Sequence, residues 1–500
     1  MLRHFVNGLA FLCSVAFFTL LTGCIGSHGI SPQERLVGDS ELILDAAIES
    51  ANKDAAWPSA QWWSAYADPQ LNHWVSLALE NSPTLGQAAA RVRMALSQAG
   101  LAVANESPQL SAHASLLRRK WPTDKHYGAG DLADTTTWDN NTDLGFSYAF
   151  DFWGRNRSES ERFTDLAYMS AAEAQMVQLE LVSNIVRVYI QLSLQYAELD
   201  IAKSTLQQQQ EILSIAKRRF AGGLGPRLEI VEAQMALPET ERKIEAIDQG
   251  IVLTRNQIAA LAGKGPGAGS VIKRPALSLG VSTALPTAVP LELVGHRPDV
   301  VAARWKIAAQ AKGMDVARAD FYPNVDLVAT LGFSAVGGGV LEYLTKSKFN
   351  YNAGPAISLP IFDAGRRRQQ YGYQTATYDA AVDEYNQTIV NALKGISDQL
   401  IRFNSLSNQH QHALKAVEYA EAAFSISTKA FRGGLTGYLN VLNAQSKMFQ
   451  QRIELRRVEA GLLKTQADLV VALGGGVPID QYPMNSRVRY IETAKHERSY

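Results

Sequence analysis

The side chain whose chemistry is easiest to read is the thiol of Cys24. It closes the run Leu21-Thr22-Gly23-Cys24, after Arg3 and an apolar stretch from Leu9 to Leu21. A basic start, a short apolar core and a small-residue site make a secretory signal. A cysteine at that boundary has the pattern of a lipobox, in which the sulfur is alkylated by lipid and the cysteine becomes the new N-terminus. Residues 1–23 are thus expected to be removed and 24–56 to form a lipidated N-terminal linker. Ile25 and Gly26 follow, so no Asp speaks for retention at an inner membrane. The other cysteine, Cys13, leaves with the signal. The mature fold is expected to hold no disulfide, although the compartment of an exported protein permits them.

Other candidates for chemistry are weak. His410 and His412 are two apart, about 200° around a helix, and cannot hold one metal together. The segment "GKGPGAG" at 263–269 lacks the spacing of a phosphate loop and a preceding strand, and reads as a linker within 263–290. Arg366, Arg367 and Arg368 read as an interfacial or solvated cluster. No nucleophile–base–orienter order and no paired carboxylates are legible, so no enzyme activity, metal or cofactor is expected. Basic and acidic residues balance at 48 each, and no net field recommends nucleic acid as a partner.

The elements come next. Residues 155–221 and 396–432 lack both glycine and proline. Val182, Val186, Tyr189, Ser193 and Tyr196 step 4-3-4-3, as do Ile396, Leu400, Phe403, Ser407, His410, Leu414 and Val417. That is the seam of a coiled coil. A helix over 155–221 would be roughly 100 Å long and needs partner helices along its length. Each long helix runs into a near-repeated segment, "FAGGLGPRLEIVEAQ" at 220–234 and "FRGGLTGYLNVLNAQ" at 431–445, 211 residues apart and identical at seven of fifteen positions. Gly222-Gly223 and Gly433-Gly434 supply left-handed residues that stop a helix. Return helices follow, to about Ala262 and Leu473, with a kink expected at Pro238, whose counterpart is Phe449.

Four stretches alternate as strands do, at about 109–117, 143–152, 324–334 and 351–361. Loops 118–141 and 335–350 join them in pairs. Gly154-Arg155 and Gly365-Arg366 follow the second and fourth at the same offset of 211. Ala-rich helical segments at 84–105 and 299–319 lead into Pro108 and Pro323 before the first and third. The chain is therefore a duplication. Its first repeat covers 57–262 (hairpin 153–262), its second 291–476 (hairpin 362–474), and a polar tail fills 477–500. After Cys24 no apolar run is long enough for a transmembrane helix. A membrane could be crossed only by strands closed into a barrel. Four strands cannot close one, since the smallest common barrels have about eight. Several chains must contribute, and three would give twelve strands.

With these elements in order, the chain resembles the TolC superfamily of outer-membrane efflux ducts, in its NodT-type lipoprotein branch, the outer membrane factors of RND-type efflux. The residues that carry the resemblance are Trp62, Trp63, Asp68-Pro69 and Leu71 with "LALENSPTL" at 77–85, "HRPDVVAARWKIAAQAKGMDVARADFYPNVDL" at 296–327, and "GLTGYLNVLNAQ" at 434–445. It covers residues 57–476. The resemblance implies a homotrimer with a twelve-stranded barrel in outer-membrane lipid and a twelve-helix periplasmic coiled-coil tunnel. It implies a periplasmic adaptor and an inner-membrane pump as partners, with conduction of drugs or other small solutes that is passive in the duct itself.

It also implies site residues. Leu439 would be the apolar constriction of the tunnel's periplasmic aperture and Asn443 a polar ring beneath it. Family members usually carry Asp at the latter position and often Arg three residues on, where Ser446 stands here; Asn440 replaces another acid. The first copy keeps Glu229 and Glu232 at the matching positions. Three Asp would focus negative potential, whereas three Asn keep hydrogen bonding without charge. Gly223, Leu224, Gly434, Leu435 and Thr436, at the two turns, are the expected adaptor contacts. A lipid-anchored periplasmic coiled-coil adaptor or scaffold would also account for the lipobox and the hairpins. It would leave the membrane-length strands and the duplication of the whole unit without a reason.

Overall fold

The computed structural model describes residues 29–38, 41–43, 46–49, 57–123, 132–278 and 296–476. Cys24, the signal segment, most of the N-terminal linker and the tail 477–500 lie outside them. Two compact units form, and each draws on both repeats. One gathers the chain up to Leu36, Arg93–Met169 and Arg304–Glu384; the other gathers Val37–Val92, Ser170–Ala303 and the chain from Tyr385 on.

The first unit holds a four-stranded antiparallel sheet in the order β1 (Gln109–Lys120), β2 (Thr136–Phe150), β3 (Asn324–Val336), β4 (Phe349–Ser358). Within a repeat, neighbouring strands pair across their loop. The β2–β3 pairing joins the repeats, with Leu144 opposite Leu331 and Phe146 opposite Ala329. Register carries every alternating apolar residue to one face. Leu110, Ala112 and Leu116 of β1 meet Phe146, Leu144 and Asn140 of β2. Leu327, Ala329, Leu331 and Phe333 of β3 meet Pro355, Ala353, Tyr351 and Phe349 of β4. The opposite face carries Ser111, His113, Ser115, Asp143, Ser147, Asp326, Thr330, Asn350 and Asn352. Because the side-chain period is two, a one-residue slip would exchange these faces.

All four strands run further toward their loops than apolar alternation indicates, β1 and β2 most of all. Polar and aromatic contacts hold the ends of β1 and β2: Arg119 pairs with Asp139 at 2.9 Å, Arg118 lies 5.3 Å from the Trp138 ring, and Trp121 Nε1 donates to Thr137. β4 stops at Ser358 rather than near 361, since Pro360 has no N–H to add to a ladder.

At the other end of the sheet the chain turns into helices, through left-handed glycines with φ +71° at Gly154 and +85° at Gly365. Trp153 stacks on Tyr322 at 4.6 Å and donates from Nε1 to the Pro323 carbonyl. Arg367 is spent on structure: it donates to Asp363 and to the Asp320 and Pro360 carbonyls. The parts of helix α2 (Pro83–Ala104) from Arg93 on and of helix α5 (Pro298–Ala319) from Arg304 on complete this unit, together with the first turns of α3 (Arg155–Ala221) and α6 (Arg366–Arg432). Its buried helix positions are largely alanines, among them Ala99, Ala102, Ala167, Ala309 and Ala381, so helix axes can approach closely. An N-terminal strap is read by its backbone: Gln33 and Glu34 both donate their N–H to Asp379 Oδ1, at 3.0 and 3.2 Å.

The second unit contains α1 (Pro69–Asn81), the remainder of α2, α3, α5 and α6, and the return helices α4 (Arg227–Leu261) and α7 (Tyr438–Ala472). The long helices are 67 residues each and the return helices 35 each, so the duplication is preserved in length. α4 runs through Pro238 as one helix, lacking only the N–H that proline does not have. The expected seam is buried at Val182, Val186 and Tyr189 and at Ile396 and Leu400, but Leu414 is exposed. The main core packs α1 onto α3, α4 and α7 through Trp63, Leu71, Val75, Ile185, Tyr189, Ile258 and Leu463. Asp68 caps α1 and also accepts from the Ala276 N–H and the Tyr189 hydroxyl, at 2.8 and 2.9 Å. Burial above all, with the Asp68 carboxylate beside it, pushes the Tyr189 hydroxyl well above the usual tyrosine range.

Within this unit the two hairpins are tied along α3 and α7. Arg187 donates to Asp468 at 2.6 Å, Glu198 accepts from Arg457 at 3.3 Å, and Gln445 donates to Gln208 at 3.5 Å.

Candidate aperture and docking tip

The two glycine turns are alike bond for bond. After α3, the N–H groups of Gly222, Gly223 and Leu224 donate to Arg218, Phe220 and Arg219 carbonyls; after α6, those of Gly433, Gly434 and Leu435 donate to Lys429, Phe431 and Ala430. Gly223 and Gly434 have φ of +73° and +76°. The bond from the residue after the left-handed glycine back to the sixth residue is that of a Schellman stop. The leucines that follow do not fold back onto their hairpins. Leu224 is 72% and Leu435 85% exposed, so each turn presents an apolar side chain outward.

Beyond the turns the copies part. Asn440, in the first turn of α7, donates from Nδ2 to the Thr436 hydroxyl and so belongs to its own turn. Its counterpart Glu229 turns inward. It is 7% exposed and lies 3.6 Å from the Arg219 Nε, an electrostatic contact too long for a hydrogen bond. Gly225 leaves it room, since a Cβ there would sit 2.8 Å from the Glu229 carboxylate. Arg219 holds both turns: it donates to the Phe431 carbonyl at 2.6 Å and to the Leu224 carbonyl at 3.1 Å, with its guanidinium 4.7 Å from the Phe431 ring centre. Beneath lies an apolar plug of Ile212, Ile215, Ala233, Phe431, Tyr438 and Val441. Burial, with the nearby Glu232 charge adding to it, pushes the Tyr438 hydroxyl up to about 12.

Two exposed stripes result. From the turn into α4, Leu224, Leu228, Val231 and Met235 step 4-3-4 and are all exposed. On α7, Leu439, Asn443 and Ser446 are exposed on the side away from Val441, Gln445 and Met448. The residues expected at the aperture and at the adaptor contact are thus gathered at one end of the second unit. Asn440 is exposed as well, with its side-chain amide bonded to the Thr436 hydroxyl. Arg219 and Phe431 were not singled out from the sequence. For Arg219 the only signal there was asymmetry between the copies, with Arg219 and Glu229 standing where the second copy has Ala430 and Asn440, whereas Phe431 matches Phe220.

The weaker candidates do not converge. His410 lies 3.6 Å from Glu459, and His412 is exposed. Part of the 263–269 segment forms a short turn, Pro266–Val271, with Gly269 against the Arg255 backbone. Arg366 and Arg368 are exposed. Among the described residues no cluster of His, Cys, Asp and Glu could hold a metal, and no helix is long and apolar enough to cross a membrane.

A family model described as "Outer membrane efflux protein" matches residues 74–264 and 289–475. The chain is 44% identical over 370 residues to "Fusaric acid resistance protein FusA" of Burkholderia cepacia, covering 74% of this chain and 70% of that protein. It is 27% identical over 473 residues to "Multidrug resistance outer membrane protein MdtP" of Escherichia coli K12, covering 93% and 96%. Among solved structures, the outer membrane protein VceC of Vibrio cholerae matches at a TM-score of 0.78 and 33% identity, over 84% of this chain and 100% of that one. The outer-membrane channel OprN matches at a TM-score of 0.79 and 26% identity, over 89% and 99%. With its four-stranded sheet and two long helical hairpins, the chain therefore belongs to the outer membrane efflux protein family.

Proposed function

We propose that three copies of this chain form the outer-membrane conduit of a tripartite exporter, passing small solutes from an inner-membrane pump and a periplasmic adaptor to the outside. The observation that carries the reading is the sheet. From Leu110 to Leu116 and across the rows of Leu144, Phe146, Leu331 and Tyr351 one face is mainly apolar and the other mainly polar, while among the described residues β1 and β4 each have no strand on their outer side. In lipid such edges must be closed by further strands. Exposed Phe152, Trp153, Tyr322 and Phe362 at the helix end of the strands fit an interfacial aromatic girdle. The exposed apolar stripe of α4 fits burial against a neighbouring chain, and the exposed polar positions of α7, Asn443, Ser446 and Lys447, fit a water-filled lumen.

The strap supports lipidation of Cys24. Gly29 lies beside the Arg368 guanidinium, near the start of α6. Cys24 is five residues earlier, within about 18 Å of chain reach from that point. Its acyl chains would then enter the membrane beside β4. Leu224 and Leu435, held outward at the two turns, are the apolar contacts offered to the adaptor.

The reading is tested on protein extracted from outer-membrane fractions. It expects heat-modifiable trimers that conduct in planar bilayers. A monomer with no conductance would favour the lipid-anchored adaptor instead. Two substitutions separate the faces of the sheet. Leu331→Arg is expected to cost about 2–4 kcal/mol in the apolar band and to deplete trimers, while Thr330→Arg leaves their yield near normal. Equal yields would count against the orientation. At the tip, Leu435→Asp is expected to abolish crosslinking to the adaptor and drug resistance while trimers still form. Undiminished crosslinking would remove Leu435 from the docking surface.

A further inference from the structure

We propose that Lys447, one turn beyond Asn443 on α7, makes the periplasmic aperture favour anions, and that the solutes it suits are small organic carboxylates. The proposal rests on the reading of α7 as the aperture-lining helix and goes beyond it to the class of cargo.

The first observation is a charge asymmetry. From residue 422 to residue 453 the second hairpin tip has no acidic residue, yet it carries Lys429, Arg432, Lys447 and Arg452. Arg452 is occupied by Glu421, at 2.6 and 2.8 Å. Lys429 and Arg432 fall in the last turn of α6, where a cation offsets the helix dipole. Lys447 has no such explanation. It lies beyond the first turn of α7, and the positions three and four residues either side are Asn443, Ala444, Gln450 and Gln451. No carboxylate stands within helical pairing reach on its own helix.

The second observation is position. Lys447 is exposed and continues the exposed line of Leu439 and Asn443 at a spacing of four. Val441, Gln445 and Met448 point the other way, into the hairpin. The acids of the first hairpin tip do not answer this charge. Glu229 is buried against Arg219, Glu239 pairs with Lys243 at 2.8 Å, and Glu232 is half-buried beside Tyr438 on the other hairpin. In a trimer the line becomes three stacked rings: apolar at Leu439, neutral at Asn443 and cationic at Lys447.

A confined cationic ring raises the local concentration of anions and lowers that of cations, and salt screens the effect over about 8 Å at physiological ionic strength. Preference in a bilayer is therefore expected to be severalfold and to grow as salt is lowered. The 44% identical relative named for resistance to fusaric acid, a carboxylic acid by name, is consistent with such cargo.

The test uses full-length trimers in planar bilayers under a KCl gradient, repeated with potassium benzoate. Wild type is expected to reverse at a potential of the anion-preferring sign, with benzoate carried. Lys447→Gln should lower the anion-to-cation permeability ratio about threefold, and Lys447→Glu should bring it below one. In cells, Lys447→Glu should lower resistance to an organic acid and leave resistance to a neutral drug unchanged. Conducting wild-type trimers that prefer cations, or a permeability ratio unmoved in Lys447→Glu, would overturn the proposal while leaving the conduit intact. Trimers that do not conduct at all would instead overturn the conduit.

Discussion

Asn443→Asp is expected to raise the cation-to-anion permeability ratio of the channel about threefold to tenfold at physiological salt. Three carboxylates close to the axis of a narrow water-filled aperture each act on a passing ion with about 0.5–1 kcal/mol at bulk dielectric, before screening. Screening removes more than half of the sum, and about 1 kcal/mol survives, since 1.4 kcal/mol is tenfold. The new carboxylate would also lie one turn from Lys447, at the i, i+4 spacing where opposite charges pair. The variant should therefore move toward neutrality rather than to strong cation selectivity. Asn443→Asp combined with Lys447→Gln should exceed either change alone. Single-channel reversal potentials read this directly, and a ratio unchanged in Asn443→Asp would take Asn443 out of the aperture. Asn440→Asp should do less, because Asn440 is occupied with the Thr436 hydroxyl.

Arg219→Ala is expected to loosen the whole tip. Arg219 donates to carbonyls of both hairpin tips, Leu224 in its own turn and Phe431 at the end of α6, and faces the carboxylate of Glu229; its side chain is only 11% exposed. Hydrogen bonds from a charged donor are worth about 1.5–3 kcal/mol each, and a stranded buried charge adds to the loss. The 3.6 Å separation from Glu229 argues for the lower part of that range. A local cost of about 3 kcal/mol would raise the population of opened tips about a hundredfold. Hydrogen exchange should speed up at residues 222–224 and 433–435, whose N–H groups close the turns, and the closed channel should leak. Unchanged exchange there would show that the clamp is idle. Arg219→Lys should recover only part, since an ammonium lacks the planar fork that spans two carbonyls. Arg219→Ala with Glu229→Gln should be milder than Arg219→Ala alone, because no carboxylate is then left without its cation.

The ties along α3 and α7 bear on how that tip is held. Arg187–Asp468, Glu198–Arg457 and Gln208–Gln445 join the hairpins at successive levels above the Arg219 clamp. The tip is thus the end of a ladder, and loss of Arg219 should be felt locally rather than along the helices.

Most of the architecture was legible because it depends on local chemistry. Helices were visible where glycine and proline vanish and apolar residues step 4-3, and their turns where Gly222-Gly223 and Gly433-Gly434 permit a left-handed stop. Strands were visible where alternation reports an apolar and a polar side at once, and the duplication showed as one offset shared by turns and strand ends. The strand extensions at Arg118–Lys120 and Thr136–Thr142 were not, because charge pairs and main-chain bonds hold them without alternation.

What the sequence determined alone was the set of elements, their order and the two turns. Tertiary structure decided which strands meet across the repeats, since β2 and β3 are joined by a whole hairpin and no turn residue sets their register. It also decided the fate of matched side chains. Glu229 and Asn440 occupy the same place in the repeat, yet one is drawn inward by Arg219 and the other is held by Thr436. A side chain at a repeated position is directed by what the neighbouring helix sets opposite it, and that neighbour is distant along the chain.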